Sequence, residues 1–345
     1  MIPIVLPPNV IEHFYRGGSR LAQLRGFEPD SAFLPEEWLA ATVHREGHPN
    51  SGQSRLFDGS LFSDLVAADP LGWLGNSEGG PAGKTDTGIL VKLLDADQRL
   101  PVHVHPDRPF AAHHLHHCYG KTEAWYVLAA DAPESAVWLG FSEDVDPAEL
   151  ATAVDAQDSD WMLARLNRID VTPGDGILVP AGTAHAIGAG VFVVEVQEPT
   201  DFSIVLEWSV TTAGRDESHL GLGLPLALQV VNHRATTPAM LRDLVTRPDD
   251  DPDTTSRPLL PTDADPFFRM EEISTHGGTV GAAAGFSVLV VLDGAGTLSS
   301  PEGSLDVTRG QVLAVPAAFG DWSVSGAVRI VRVRAGLETP TAVTS

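Results

Sequence analysis

From Thr87 onward the chain breaks into short apolar runs, GILVKLLD, LPVHVH, EAWYVLAA, GILVP and GVFVVEVQ, each bounded by Gly, Pro or Asp. Runs of this kind form strands. Without regular helices between them they pack as a sandwich or a closed barrel, not as alternating strand and helix units. The expected fold is therefore mainly β. Residues 142–167 carry acidic caps and apolar residues three and four apart, which predicts a helical insertion between two halves of one β domain. Earlier, Leu56 to Ala68 predicts a short helix stopped by Asp69-Pro70. The proline-rich, acidic stretch from Leu241 to Pro266 reads as a connection to a second β set that begins FFRMEEIST.

The two β sets share a ten-residue pattern: VTPGDGILVP from Val171 to Pro180 and VTRGQVLAVP from Val307 to Pro316. The first continues AGTAH and places His185 five residues past its proline, whereas the second continues AAFGD without a histidine. This predicts a duplicated fold whose chemistry sits in the first copy. A length of 345 residues with 43% hydrophobic content suits two such units.

Composition narrows the partners. The single cysteine, Cys118, excludes an internal disulfide and a cysteine-only metal site. With 22 Lys plus Arg against 46 Asp plus Glu, the net charge of −24 disfavours nucleic acid and anionic membranes. It also makes an anionic substrate less natural unless a local basic pocket overrides the global sign. No signal peptide and no unbroken apolar span is evident, so a cytoplasmic, soluble protein is expected, as a monomer or homodimer.

PVHVHP places His103 and His105 two apart, and strand alternation sends both imidazoles to one face. Two such rings turned inward are costly unless paired or coordinated. Glu123 heads the next strand, EAWYVLAA, and His185 arrives from the PAGTAH turn. Three imidazoles and a carboxylate on neighbouring strands are a plausible ligand set for Zn, Fe, Mn, Ni or Co. Asp107, in the HPD run, is available to orient a ligating histidine. The HHLHH cluster, His113 to His117, reads as a loop at the surface or pocket rim, with His116 and His117 as possible substrate contacts. GGPAGKT resembles a phosphate loop, but Glu78 stands where its first glycine belongs, and GKTE lacks the glycine-rich lead. Neither is read as a nucleotide site.

The series LPVHVHPD, YGKTEAWYVLAA and VTPGDGILVPAGTAHAIGAGVFVVEVQEPTDFSIVLEW resembles the class I mannose-6-phosphate isomerases, a cupin family of zinc-dependent aldose–ketose isomerases. The resemblance implies two cupin (jelly-roll) β-barrel domains with a helical insertion. The first, catalytic domain would span 1–250 with the insertion at about 142–167, and the second, metal-free one 265–337. It further implies one divalent cation, zinc before manganese or iron, on His103, His105, Glu123 and His185, with Lys121 and Glu195 in catalytic roles. Three departures stand out. His103 replaces the family's glutamine, Pro101 its serine, and Val205 the arginine held to be catalytic and near the phosphate. Valine and proline cannot donate to an anion, which favours a non-phosphorylated or atypical sugar, unless His116, His117 or Arg108 replaces the lost cation.

Aldose isomerisation moves the C2 proton to C1 through an enediol whose oxygen charge needs stabilising. Alternation puts Val191, Val193, Glu195 and Gln197 on one face of VFVVEVQ, and an inward face would make Glu195 a buried carboxylate with a raised pKa. Its bland alternative is an ion pair with Lys121. Lys121 shares a face with Glu123. Two other activities use the same residues: a cupin oxygenase or lyase on three histidines and one glutamate, and a carbohydrate-binding cupin without turnover.

Overall fold

The computed structural model describes residues 1–76, 79–131, 135–212, 214–248 and 254–342. Among them the strands form three sheets of seven, five and eight strands. In the seven-stranded sheet, Val191–Gln197 lies between Glu123–Ala130 and Leu90–Asp95, and Glu36–Leu39 extends the edge. The five-stranded sheet centres on His103–Val104, His185–Ile187 and Ala136–Phe141. Alternation explains why the two pack together. Val191 and Val193 share one core with Val137, Leu139 and Ile187 of the facing sheet, while Phe192, Val194 and Val196 point the other way into a second core. Neither sheet pair closes into a ring among the described residues, so the expected barrels are open sandwiches of the cupin type.

The eight-stranded sheet is built on two strands of 14 residues, Ser287–Ser300 and Trp322–Ala335. Their length lets one strand serve two layers. Val288 and Val290 pack with Tyr126 and Val194 of the seven-stranded sheet, whereas Leu298 and Val324 belong to a separate core. The ten-residue repeat occupies equivalent places. Gly176–Val179 pairs antiparallel with the strand headed by Glu123, and Val312–Val315 pairs antiparallel with the strand headed by Ser287. Glu123 stands opposite Val179, and Ser287 stands opposite Val315. The second copy thus puts a buried serine where the first has a carboxylate.

Three local expectations are corrected. The early helix begins at Phe62, not Leu56, because Leu56 to Ser60 turns back on itself through a Leu56 N–H to Ser60 carbonyl bond. Asp69 does not simply stop it: its carboxylate accepts from Gly72 N–H and caps a further helix, Pro70–Leu74, with proline in its first turn. The Leu241 to Pro266 stretch is also more than a connector. Val245–Thr246 pairs with Gly176–Val179, and Ser256–Pro258 pairs with Phe268–Ser274, while 249–253 lie outside the described residues. The amino-terminal strand Ile4–Leu6 likewise pairs with Val312–Val315, in the sheet of the chain's far end. The insertion forms two helices, Pro147–Ala156 and Ser159–Arg165, each capped by an aspartate at its start.

Gly176 shows how tightly the connector is seated. A Cβ there would lie 1.7 Å from the Leu259 carbonyl oxygen, a backbone atom that cannot swing aside. Gly176→Ala is expected to cost about 1–3 kcal/mol, the usual range for overpacking, and to lower the denaturation midpoint. An unchanged midpoint in chemical denaturation would show that the connector moves freely.

Candidate metal centre

His103 sits on a short inner strand, directly opposite His185 on one side and Val205 on the other. His105 follows two residues on, and Glu123 enters from the facing sheet. One ligand atom from each of the four lies within 4.8 Å of the others. The ring centroids of His103 and His185 are 4.0 Å apart, and those of His105 and His185 are 4.8 Å apart. All but His103 are deeply buried, and His103 is only 9% exposed.

The tautomers are fixed from behind. Each Nδ1 faces a backbone carbonyl: His103 that of Pro101 at 2.9 Å, His105 that of Phe202 at 2.8 Å, and His185 that of Thr183 at 2.7 Å. Carbonyls only accept, so each Nδ1 carries the hydrogen and each Nε2 turns a lone pair inward. His105 Nε2 and His185 Nε2 are buried with no hydrogen-bond partner, and Glu123 Oε2, ion-paired with Lys121 Nζ at 3.2 Å, accepts no hydrogen bond. Orphaned acceptors of this kind are expensive in a protein interior, and a divalent cation satisfies all of them together. The residues fit such an ion. Burial holds His103 well below the usual imidazole range and pushes His105 down to about 3, so both are neutral, as ligation requires. Burial acts to raise the Glu123 carboxyl, but the Lys121 ammonium overcomes it and holds Glu123 well below the usual carboxylate range. Asp107 does not orient any of the rings: its carboxylate accepts from Phe110 N–H at 2.8 Å and caps a short helical turn.

Two of the four, His103 and Glu123, line a cavity of about 1030 Å³ with Lys121, Glu195, Lys92 and Glu36, and His105 and His185 stand behind them. Lys121 Nζ lies 3.2 Å from Glu123 Oε2 and donates to Ser203 Oγ at 3.4 Å. Glu195 has Lys92, not Lys121, as its ion-pair partner, at 3.3 Å. Burial is the main cause that pushes Glu195 up to about 7; Lys92 opposes it and Glu123 adds to it. Lys92 is in turn shared with Glu36 at 3.3 Å, and Glu36 accepts from Tyr15 and from Trp38 Nε1. Lys92 and Glu36 were not apparent as site residues from the sequence. The signal was a lysine inside the otherwise apolar run GILVKLLD, which only a buried partner can justify. The HHLHH histidines lie in a single π-helical turn, Ala111–Leu115, and its flank, and none of the four lines this cavity. Arg108 is also elsewhere, with its Nε 2.6 Å from Glu198 Oε1. The GKTE amide of Thr122 is taken by Glu198 at 2.9 Å, and Glu78 of the other loop lies outside the described residues.

His13 borders the same cavity, and burial pushes it down to about 3. Between that value and the free imidazole value the unfolded chain binds a proton that the native chain does not, so stability rises with pH through this window and levels off above about 6.5. His13→Gln is expected to remove about 1.4 kcal/mol per pH unit from that slope. Denaturation series between pH 4 and about 6 check this; parallel slopes for the two chains would place the titration elsewhere.

A mainly β chain with a buried cluster of three histidines and one glutamate, able to hold a cation between two sheets, is a metal-site cupin. Residues 264–335 match the family model described as mannose-6-phosphate isomerase, cupin domain. The mannose-6-phosphate isomerase of Streptococcus mutans is 35% identical over 54% of this chain and 54% of its own length. Mannose-6-phosphate isomerase ManA of Bacillus subtilis is 32% identical over 58% of each chain. The matched region thus spans little more than half the length of these curated relatives. The crystal structure of the Bacillus subtilis mannose 6-phosphate isomerase superposes with a TM-score of 0.75 at 22% identity, over 97% of this chain and all of that one. Over these regions the chain is similar to the class I, cupin-type phosphomannose isomerases, and its fold is theirs. No helix among the described residues is long and apolar enough to cross a membrane.

Proposed function

We propose that the chain is a metal-dependent aldose–ketose isomerase whose cation is held by His103, His105, Glu123 and His185. One observation carries the reading: ligand atoms of these four residues lie within 4.8 Å of one another, and two of the residues, His103 and Glu123, line a cavity with Glu195, a buried carboxyl poised near neutrality. A divalent ion there, zinc before manganese or iron, would supply positive charge to offset that developing on the sugar's vicinal oxygens. The protein side chains do the rest. Glu195 takes the carbon-bound proton and returns it to the adjacent carbon, a task suited to a carboxyl whose pKa matches the working pH. Lys92 steadies the Glu195 charge, and Lys121 donates toward sugar hydroxyls. Residues 1–250 form the catalytic unit in this reading and 265–337 the metal-free one, whose sheet also takes in the strand Ile4–Leu6.

The substrate half of the proposal is an aldose without a phosphate. The cavity lining has Arg45, Lys92 and Lys121 as its cations against eight carboxylates, and both lysines are already answered by carboxylates. Val205, at the position beside His103, offers no donor. A second reading keeps a sugar phosphate, because the relatives are named for one and Arg45, whose Nη1 donates to the Glu12 carbonyl at 2.7 Å, remains at the rim. Exchange of the C2 proton with solvent, measured on zinc-, manganese- and iron-loaded protein, separates the readings. Mannose is expected to exchange with a higher kcat/KM than mannose 6-phosphate. The reverse order would remove the substrate half and leave the isomerase half standing. Oxygen uptake by the iron form without exchange would point to an oxygenase, and sugar binding with neither to a binding protein.

A further inference from the structure

A second cavity, of about 490 Å³, lies between the seven-stranded and eight-stranded sheets and shares no lining residue with the metal-centre cavity. In a chain with more than twice as many acidic as basic residues, Arg20, Arg257, Arg309 and Arg329 converge on it, and among the described residues no carboxylate is in its lining. They come from separate parts of the fold: the start of a helix, an edge strand, a turn and a long central strand.

Their compensation is incomplete. Arg20 is answered by Asp131 and the Gly190 carbonyl. Arg257 and Arg329 share the single carboxylate of Glu272, at 3.5 and 3.3 Å, and that carboxylate also accepts from Tyr126. Among the described residues Arg309 has no side-chain hydrogen bond or ion pair, and it is exposed. Among the described residues, three guanidinium groups, Arg257, Arg309 and Arg329, against one carboxylate leave a surplus of two positive charges. A phosphate monoester carries about −1.5 to −2 near neutral pH. Guanidinium forks suit its oxygens. Leu24, Phe192 and Leu292 form an apolar wall beside the polar Gln23 and Tyr126, and the volume is within the range of roughly 300–1,000 Å³ for small-molecule sites.

We infer that this cavity is a binding site for the phosphate monoester of a small organic molecule, separate from the metal centre. On the strand Glu123–Ala130, Glu123 faces the metal cluster while Tyr126, three residues on, faces the opposite layer, so the sheet stands between the two sites.

Titration calorimetry of the full chain with phenyl phosphate, at constant ionic strength in chloride, tests this, with inorganic phosphate as the unesterified comparison. Phenyl phosphate is expected to bind more tightly than inorganic phosphate because of the apolar wall. Arg309→Gln and Arg329→Gln are each expected to raise the Kd about tenfold or more, the scale of one lost charged hydrogen bond. Arg242→Gln, an exposed change outside both cavities, should leave it unaltered. Arg309 has no partner to lose, so its variant keeps the test valid if Arg329→Gln misfolds. Equal Kd values for wild type and Arg309→Gln would overturn the site, as would absence of binding to wild type. An ester bound no more tightly than inorganic phosphate would overturn the assignment to an ester.

Discussion

Glu195→Gln is expected to lower kcat by about 10²- to 10⁴-fold, the usual contribution of a positioned general base, with metal content unchanged. The change preserves shape and removes only the capacity to accept a proton. Glu195 is buried on the face of its strand that looks into the metal-centre cavity, and its carboxyl is pushed up to about 7 by that burial. Lys92 keeps Glu36 as a second counter-charge, so the variant does not strand an unpaired lysine. A purely structural Glu195 would behave differently: Tm would fall and kcat would stay within a few-fold of wild type. Steady-state kinetics together with melting curves distinguish the two, and a near-normal kcat would remove Glu195 from the mechanism.

The second large effect concerns the cation. Stripping divalent ions with a chelator should abolish turnover and lower stability by about 4 kcal/mol if the ion is normally present at a thousandfold its Kd. The physical source is the set of acceptors without a hydrogen bond on His105, His185 and Glu123, which the fold brings together at its own cost. His185→Ala should produce the same loss of metal without chelator, since this ring is fully buried between its partners and no nearby side chain can replace it. Its melting temperature should no longer respond to added zinc. A zinc-dependent rise equal to that of wild type would show that the ion binds elsewhere.

Much of the centre was legible because its signals are local. Two histidines two apart on a strand must share a face, and a proline-terminated turn delivers a third at a fixed offset; Glu123 could be set beside them only as a neighbouring-strand ligand. The Lys92, Glu36 and Tyr15 group was not legible, because it exists only through strand register: Trp38 stands opposite Lys92 and Glu195 stands opposite Lys92 on the other side. The same limit applies to Val205, whose significance comes from pairing with His103, and to Arg108, whose true partner is Glu198. The connector was misread because charge and proline content say nothing of the few backbone pairings that seat it on both sheets.

Anomalous diffraction from zinc-loaded crystals, recorded on both sides of the zinc edge, bears most directly on the reading. A single peak enclosed by the Nε2 atoms of His103, His105 and His185 and the Glu123 carboxylate is the expected result. An active, zinc-containing crystal with its peak at another place, and these four side chains bare, would contradict it.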